Sequence, residues 1–145
     1  MNMKPKLLKL LEAFTGKKIL VIGDVMLDAY IFGDVSRVSP EAPVQVVKVE
    51  KEAFIPGGAA NVAGNVASLG GQVFVAGVVG NDGAGVSLTN GMLKRRIDTQ
   101  CIVQDASKPT TKKTRVMAQN QQLLRFDHEI DEYLSEEIEK TLLDK

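Results

Sequence analysis

Cysteine, histidine and net charge are all scarce in this chain, and each scarcity excludes a class of protein. Cys101 is the single cysteine, so no internal disulfide can staple the fold, and a reducing, cytoplasmic setting is expected. Lys and Arg together number 18, as do Asp and Glu. Such balance argues against a nucleic-acid or membrane-surface partner, since both depend on excess positive charge. No run approaches the roughly 18 apolar residues of a membrane span. The opening MNMKPKLLKLLEAFTGKK is basic and leucine-rich, yet it lacks the continuous apolar core and small-residue cleavage site of a secretory leader. The one histidine, His128, stands between Asp127 and Glu129 and is read as a surface residue. Neither a metal-ligand cluster nor a Ser-His-Asp arrangement is visible, and no repeat or low-complexity tract interrupts the chain.

What is present fits one globular domain. The 145 residues are 44% hydrophobic, which suits a packed domain of about 100–200 residues and not a disordered chain. Leu7, Leu8, Leu10, Leu11 and Phe14 fall at helical spacing before Gly16. Ile19-Leu20-Val21-Ile22 reads as a buried strand of a parallel sheet. Ala29 to Val35 and Val44 to Ala53 read as two more strands separated by Ser39-Pro40-Glu41-Ala42-Pro43. The near-alternation in Val44 to Glu50 suits a small antiparallel flap with one wet face. A small-residue helix then runs from Ala59 to Leu69, with Gly70-Gly71 ending it. Val73 to Val79 forms the next buried strand, Asp82 caps a helix towards Arg96, and Ile97 to Gln104 leads into a strand. Thr114 to Ala118 and Leu123 to Phe126 flank Gln119-Asn120-Gln121-Gln122, which predicts a hairpin. Glu136 to Leu143 is a last helix capped by Ser135. This alternation predicts an α/β domain with a mostly parallel sheet and helices on its faces. The sequence stops at Leu142-Leu143-Asp144-Lys145 inside a helical pattern, so it reads as an incomplete domain.

Few segments carry chemistry. Pro56-Gly57-Gly58-Ala59-Ala60-Asn61 sets paired glycines before a helix. There the backbone can approach a polyol or phosphate, the first helical N–H groups are unsatisfied, and the Asn61 amide is at hand. A tight turn followed by close helix packing explains the same spacing. Asp24 and Asp28 follow the first strand, where open α/β sheets bind ligands. Two carboxylates there could grip sugar hydroxyls, or Asp24 could merely cap a turn. In Gly80-Asn81-Asp82-Gly83-Ala84-Gly85 the third glycine of a dinucleotide fingerprint would fall at Leu88, so that motif fails. Lys112, Lys113, Arg115 and Arg125 could hold a phosphate; for the lysines a solvated strand face is the simpler reading. Cys101 is read as a small apolar side chain.

Together these segments resemble the N-terminal half of the ribokinase-like (phosphofructokinase-B type) carbohydrate kinases. Gly57-Gly58-Ala59-Ala60-Asn61-Val62-Ala63, followed by Gly70 and Gly80, is similar to that family's first signature. Gly23-Asp24-Val25-Met26-Leu27-Asp28, Ser36 to Val44 and Asn120-Gln121-Gln122-Leu123-Leu124-Arg125 resemble its heptose-7-phosphate kinase branch. The resemblance implies part of a three-layer α/β sandwich occupying residues 1–145, with a β-flap at about 29–53. It implies Asp28 as the sugar-hydroxyl carboxylate and Gly57, Gly58 and Asn61 as the loop and helix start that hold the sugar. Arg37 and Glu41 would serve the site or a homodimer contact through the flap, and Arg125 the sugar phosphate.

The same resemblance implies ATP and magnesium as co-substrate and ion of the intact enzyme. It also implies a catalytic aspartate in a Gly-Ala-Gly-Asp stretch far downstream. Gly83-Ala84-Gly85 precedes Val86 and is not that stretch, so the chain is expected not to turn over alone. The expected activity is transfer of the ATP γ-phosphate to the anomeric hydroxyl of D-glycero-D-manno-heptose 7-phosphate. Two alternatives stand beside it: another ribokinase-like sugar or nucleoside kinase, and a non-catalytic sugar-binding or dimerisation module.

Overall fold

A computed structural model describes residues 4–145; Met1 to Met3, part of the stretch read for a leader, lie outside them. The elements run α1 (Lys4–Glu12), β1 (Lys18–Ile22), β2 (Val25–Val38), β3 (Gln45–Gly58), α2 (Ala59–Ser68) and β4 (Gln72–Gly80). They continue α3 (Gly83–Lys94), β5 (Asp98–Asp105), β6 (Lys112–Ala118), β7 (Gln121–His128) and α4 (Glu136–Leu143).

The strands divide into two sheets. One is wholly parallel in the order β1-β4-β5, and its β4-α3-β5 crossover is the unit that parallel pairing requires. Asp82 starts α3 by accepting a hydrogen bond from the Gly85 N–H at 2.8 Å. Its other carboxylate oxygen accepts from the Thr110 N–H at 2.9 Å, tying the helix start to the segment before β6. Burial pushes the Asp82 carboxyl up, but the Gly85 and Thr110 hydrogen bonds outweigh it and hold the group below its ordinary value. Ser135 caps α4 by accepting from Ile138 N–H. The core joins Val73, Val75 and Val79 of β4, Leu88 and Met92 of α3, and Val25 and Leu27 of β2. Ala60 and Ala63 of α2 complete it; their small side chains let that helix lie close to the strands.

The second sheet has the order β3-β2-β6-β7. Its middle pair β2-β6 is parallel, whereas β2-β3 and β6-β7 are antiparallel. The flap therefore has four strands, and the Thr114–Phe126 hairpin belongs to it and not to the parallel sheet. The β2-β3 ladder runs from Val25↔Gly58 out to Val38↔Gln45, with bulges between Phe32 and Gly33 and between Val35 and Arg37. At Gly33 a Cβ would press on the Lys48 carbonyl and on Val47 Cγ1, so the bulged strand can approach β3 only without a side chain.

Two expectations change. Ile19 to Ile22 read as a buried strand, yet Leu20 is 54% and Ile22 69% exposed. Among the described residues β1 pairs with β4 and with no other strand, and Val21 is its residue packed against the core. The hairpin loop is also shorter than Gln119 to Gln122. It is the pair Gln119 and Asn120, with φ of 50° and 61°. Two successive positive φ values make the primed turn whose twist matches antiparallel strands.

Candidate functional site

Alternation along β2 builds the site. Val25, Leu27 and Ala29 turn into the core, while Met26, Asp28 and Tyr30 stand half-buried on the opposite face. On β3, Gly57 pairs with Met26 and Gly58 with Val25. Gly58 has φ 56° and ψ −132°, a conformation open mainly to glycine. It swings the chain from β3 into α2 so that the Ala59 N–H donates to the Asp24 carbonyl at 2.8 Å. Gly57 is buried for a different reason. A Cβ there would run into the Asp28 carboxylate Oδ2 and lie 2.9 Å from its Cγ. Glycine leaves room for that carboxylate.

The strand registers gather charge around Asp28. Across the parallel pair Asp28 faces Lys113 and Tyr30 faces Arg115; across β6-β7 Lys113 faces Asp127 and Arg115 faces Arg125. Arg115 reaches back along the strands so that its Nη1 donates to Asp28 Oδ1 at 2.6 Å. Its guanidinium carbon stands 5.4 Å from the centre of the Tyr30 ring, within cation–π range. The hydrogen bond to Asp28 raises the Arg115 pKa above its ordinary value against the opposing effect of burial. Lys113 instead donates to Glu129 at 2.8 Å and Asp127 at 3.1 Å, and these hydrogen bonds, Glu129 first, raise its pKa. Arg125 grips both oxygens of Asp127 at 3.1 and 2.9 Å. Desolvation raises the Asp127 carboxyl, but hydrogen bonds from Lys113 and Arg125 prevail and lower it.

The expected site residues therefore fall into groups. Asp28, Gly57 and Gly58 come together at the root of the flap. Arg125 shares their face but is exposed and engaged with Asp127. Asn61 is exposed on α2 and lines a shallow depression with Gly64, Asn65 and Arg95; no hydrogen bond joins it to Asp28. Arg37 and Glu41 are exposed at the far end of the flap. At about 3.3 Å per strand residue, Arg37 lies roughly 30 Å along β2 from Asp28. Arg115, read from the sequence only as a candidate phosphate holder, is the residue that joins Asp28. Its partnership with Asp28 depends on a register between strands far apart in the sequence, and no local signal marks it.

A cavity of about 660 Å³ lies beside the carboxyl ends of β1 and β4, bordered by Gly23, Asp24, Gly77, Lys108 and Asp131. This is where open α/β sheets receive ligands. Asp28, Gly57 and Asn61 are not part of its wall. Among the described residues no group of three His, Cys, Asp or Glu side chains converges as a cation site.

Residues 16–144 match the pfkB family of carbohydrate kinases. The bifunctional protein HldE of Helicobacter pylori is 50% identical over 128 residues, covering 88% of this chain and 28% of that protein. The bifunctional protein HldE of Desulfatibacillum aliphaticivorans is 47% identical over 124 residues, or 86% of this chain and 25% of that one. The chain thus spans about a quarter of the length of these curated relatives. Among solved structures, a putative ribokinase from Agrobacterium tumefaciens superposes with TM-score 0.65 at 23% identity, covering 82% of this chain and 39% of that one. A ribokinase from Cryptococcus neoformans in complex with ADP superposes with TM-score 0.57 at 25% identity, covering 82% and 36%. The fold is that of the ribokinase-like sugar kinases, and with the family match running over nearly its whole length, the chain belongs to the pfkB family of carbohydrate kinases.

Proposed function

We propose that this chain is the sugar-binding part of a kinase that phosphorylates D-glycero-D-manno-heptose 7-phosphate at its anomeric hydroxyl. ATP is the phosphoryl donor, and the step serves ADP-heptose and lipopolysaccharide core synthesis in the cytoplasm. The observation that carries this reading is the Asp28 carboxylate, held on one oxygen by Arg115 and given room by Gly57. An ionised carboxylate accepts hydrogen bonds from sugar hydroxyls. The backbone at Gly57 and Gly58 approaches the ring closely, and the Asn61 amide contributes from the start of α2. The choice of sugar rests on the near 50% identity to the HldE relatives.

In the complete reaction the anomeric oxygen bonds to the γ-phosphorus, the bond to ADP breaks, and the hydroxyl proton passes to a base. That base belongs to sequence outside this chain, so the chain alone binds sugar without turnover. Phosphoryl transfer needs positioning and charge neutralisation together, and the residues here supply positioning of one partner.

A homodimer through the flap is part of the same proposal. Ile31, Val47, Val49, Val116 and Leu124 border an apolar groove of about 540 Å³ on the flap face turned away from Asp28, which a second flap would cover. Arg37 and Glu41, at the flap tip, lie where they would reach the second copy. Titration calorimetry with heptose 7-phosphate, ribose, fructose 6-phosphate and adenosine, with an ATP-turnover assay, tests the reading. Preferential binding of heptose 7-phosphate without turnover supports it. Preference for ribose or adenosine, or robust turnover by the chain alone, overturns it.

A further inference from the structure

We propose that Arg115 is the positioning residue of this site: it fixes the Asp28 carboxylate so that Oδ2 is left for the sugar hydroxyls. The inference rests on the sugar-binding reading above and adds a residue to it.

Three cations share the face around Asp28, and their partners separate their roles. Lys113 faces Asp28 directly across the β2-β6 pair but is drawn off by Asp127 and Glu129. Arg125 is committed to Asp127. Arg115 alone among the three is bound to Asp28, and it uses one N–H on one carboxylate oxygen. A two-pronged grip, which Arg favours with carboxylates, would occupy both oxygens. The Tyr30 ring beneath the guanidinium holds the head group from a second direction, which favours the one-pronged approach. Gly57 completes the arrangement by leaving the space that Oδ2 occupies. With side chains only 22% and 21% exposed, the pair is largely withdrawn from water and from the averaging typical of surface pairs.

The test compares wild type with Arg115→Met and Arg115→Lys. Three-bond couplings from Asp28 Cγ to the backbone nitrogen and carbonyl report the χ1 rotamer of Asp28 by NMR. Calorimetry with heptose 7-phosphate reports affinity. A single Asp28 rotamer is expected in wild type and Arg115→Lys, and rotamer averaging in Arg115→Met. Affinity should fall about tenfold or more in Arg115→Met and return to within about threefold of wild type in Arg115→Lys, which keeps the charge.

An unchanged Asp28 rotamer in Arg115→Met overturns the proposal whatever the affinity does, because a loss of binding would then come from direct contact with the sugar. If wild type binds none of the sugar phosphate, the sugar-binding reading fails, while the couplings still decide whether Arg115 orients Asp28. Should Arg115→Met not fold, Asp28→Ala, which removes the acceptor altogether, serves instead. The slowly exchanging guanidinium proton signals of Arg115 should then be lost, and their persistence would overturn the proposal.

Discussion

Replacing Gly57 by alanine tests the claim that this glycine exists to admit a carboxylate. The new methyl would overlap Asp28 Oδ2 and sit 2.9 Å from Asp28 Cγ and 3.0 Å from Met26 Cγ, against about 3.5–4.0 Å for an ordinary carbon contact. The carboxylate must retreat by roughly 1 Å, which strains the 2.6 Å hydrogen bond from Arg115. Overpacking of this kind destabilises by about 1–3 kcal/mol. Gly57 is absent from the positive-φ glycines, so its backbone accepts alanine and the stiffer unfolded chain returns about 0.4–1 kcal/mol. The net loss is about 1–2 kcal/mol, or roughly 3–6 °C in Tm for a chain of this size. Urea and thermal melts measure it directly, and a double-mutant cycle with Asp28→Ala isolates the cause. Without the carboxylate only the flexible Met26 chain is crowded, so Gly57→Ala should then lose less than about 0.5 kcal/mol. Equal losses in both backgrounds would refute the reasoning.

Gly58→Ala should be more damaging, by about 3 kcal/mol or more, because its φ of 56° is strained for any side chain and the added Cβ strikes the Asp24 carbonyl; chemical denaturation reads this. Asp82→Ala should lose about 2 kcal/mol, combining a lost helix cap with an unsatisfied Thr110 N–H, and a hydrogen-exchange map should show the loss centred on the start of α3. Asp82, Asp105 and Asp127 all have lowered carboxyl pKa values in the folded state. Their stabilisation is therefore complete above the unfolded carboxylate pKa near 4 and is lost as pH falls through the folded values. Urea midpoints should drop below about pH 4, less steeply in Asp82→Asn. Lys113, raised in the fold, contributes the opposite limb, lost only as pH rises past its ordinary value near 10.5. Leu124→Asp, on the apolar flap face, should shift sedimentation from dimer to monomer while leaving the circular dichroism spectrum unchanged.

The caps, the helices and the strand–helix alternation were legible because their signals are local. Asp82 and Ser135 stand one residue before their helices, and the Gly57-Gly58-Ala59 junction announces a turn into a small-residue helix. What eluded the sequence is what depends on pairing. Ile19 to Ile22 has the apolar run of a central strand, but whether a strand is flanked on both sides is a property of the sheet. Arg115 and Arg125 are equally basic in the one-letter string. Only the β2-β6 pairing brings Asp28 within reach of the first, whereas the second takes Asp127 from two residues along its own strand. Asn61 was named by motif alone, and the depression it lines with Gly64, Asn65 and Arg95 on α2 leaves no trace in the one-letter string.

Both irregularities of the β2-β3 ladder lie outboard of Asp28, beyond Phe32 and beyond Val35, while the inboard stretch is clamped by Val25, Leu27 and Ala29 in the core. Compliance and anchorage are thus segregated along a single strand. The departures from regular pairing lie in the distal blade, and the Asp28 carboxylate stays referenced to the packed interior. Under the proposed function, the tip can be remodelled for a different sugar without moving Asp28.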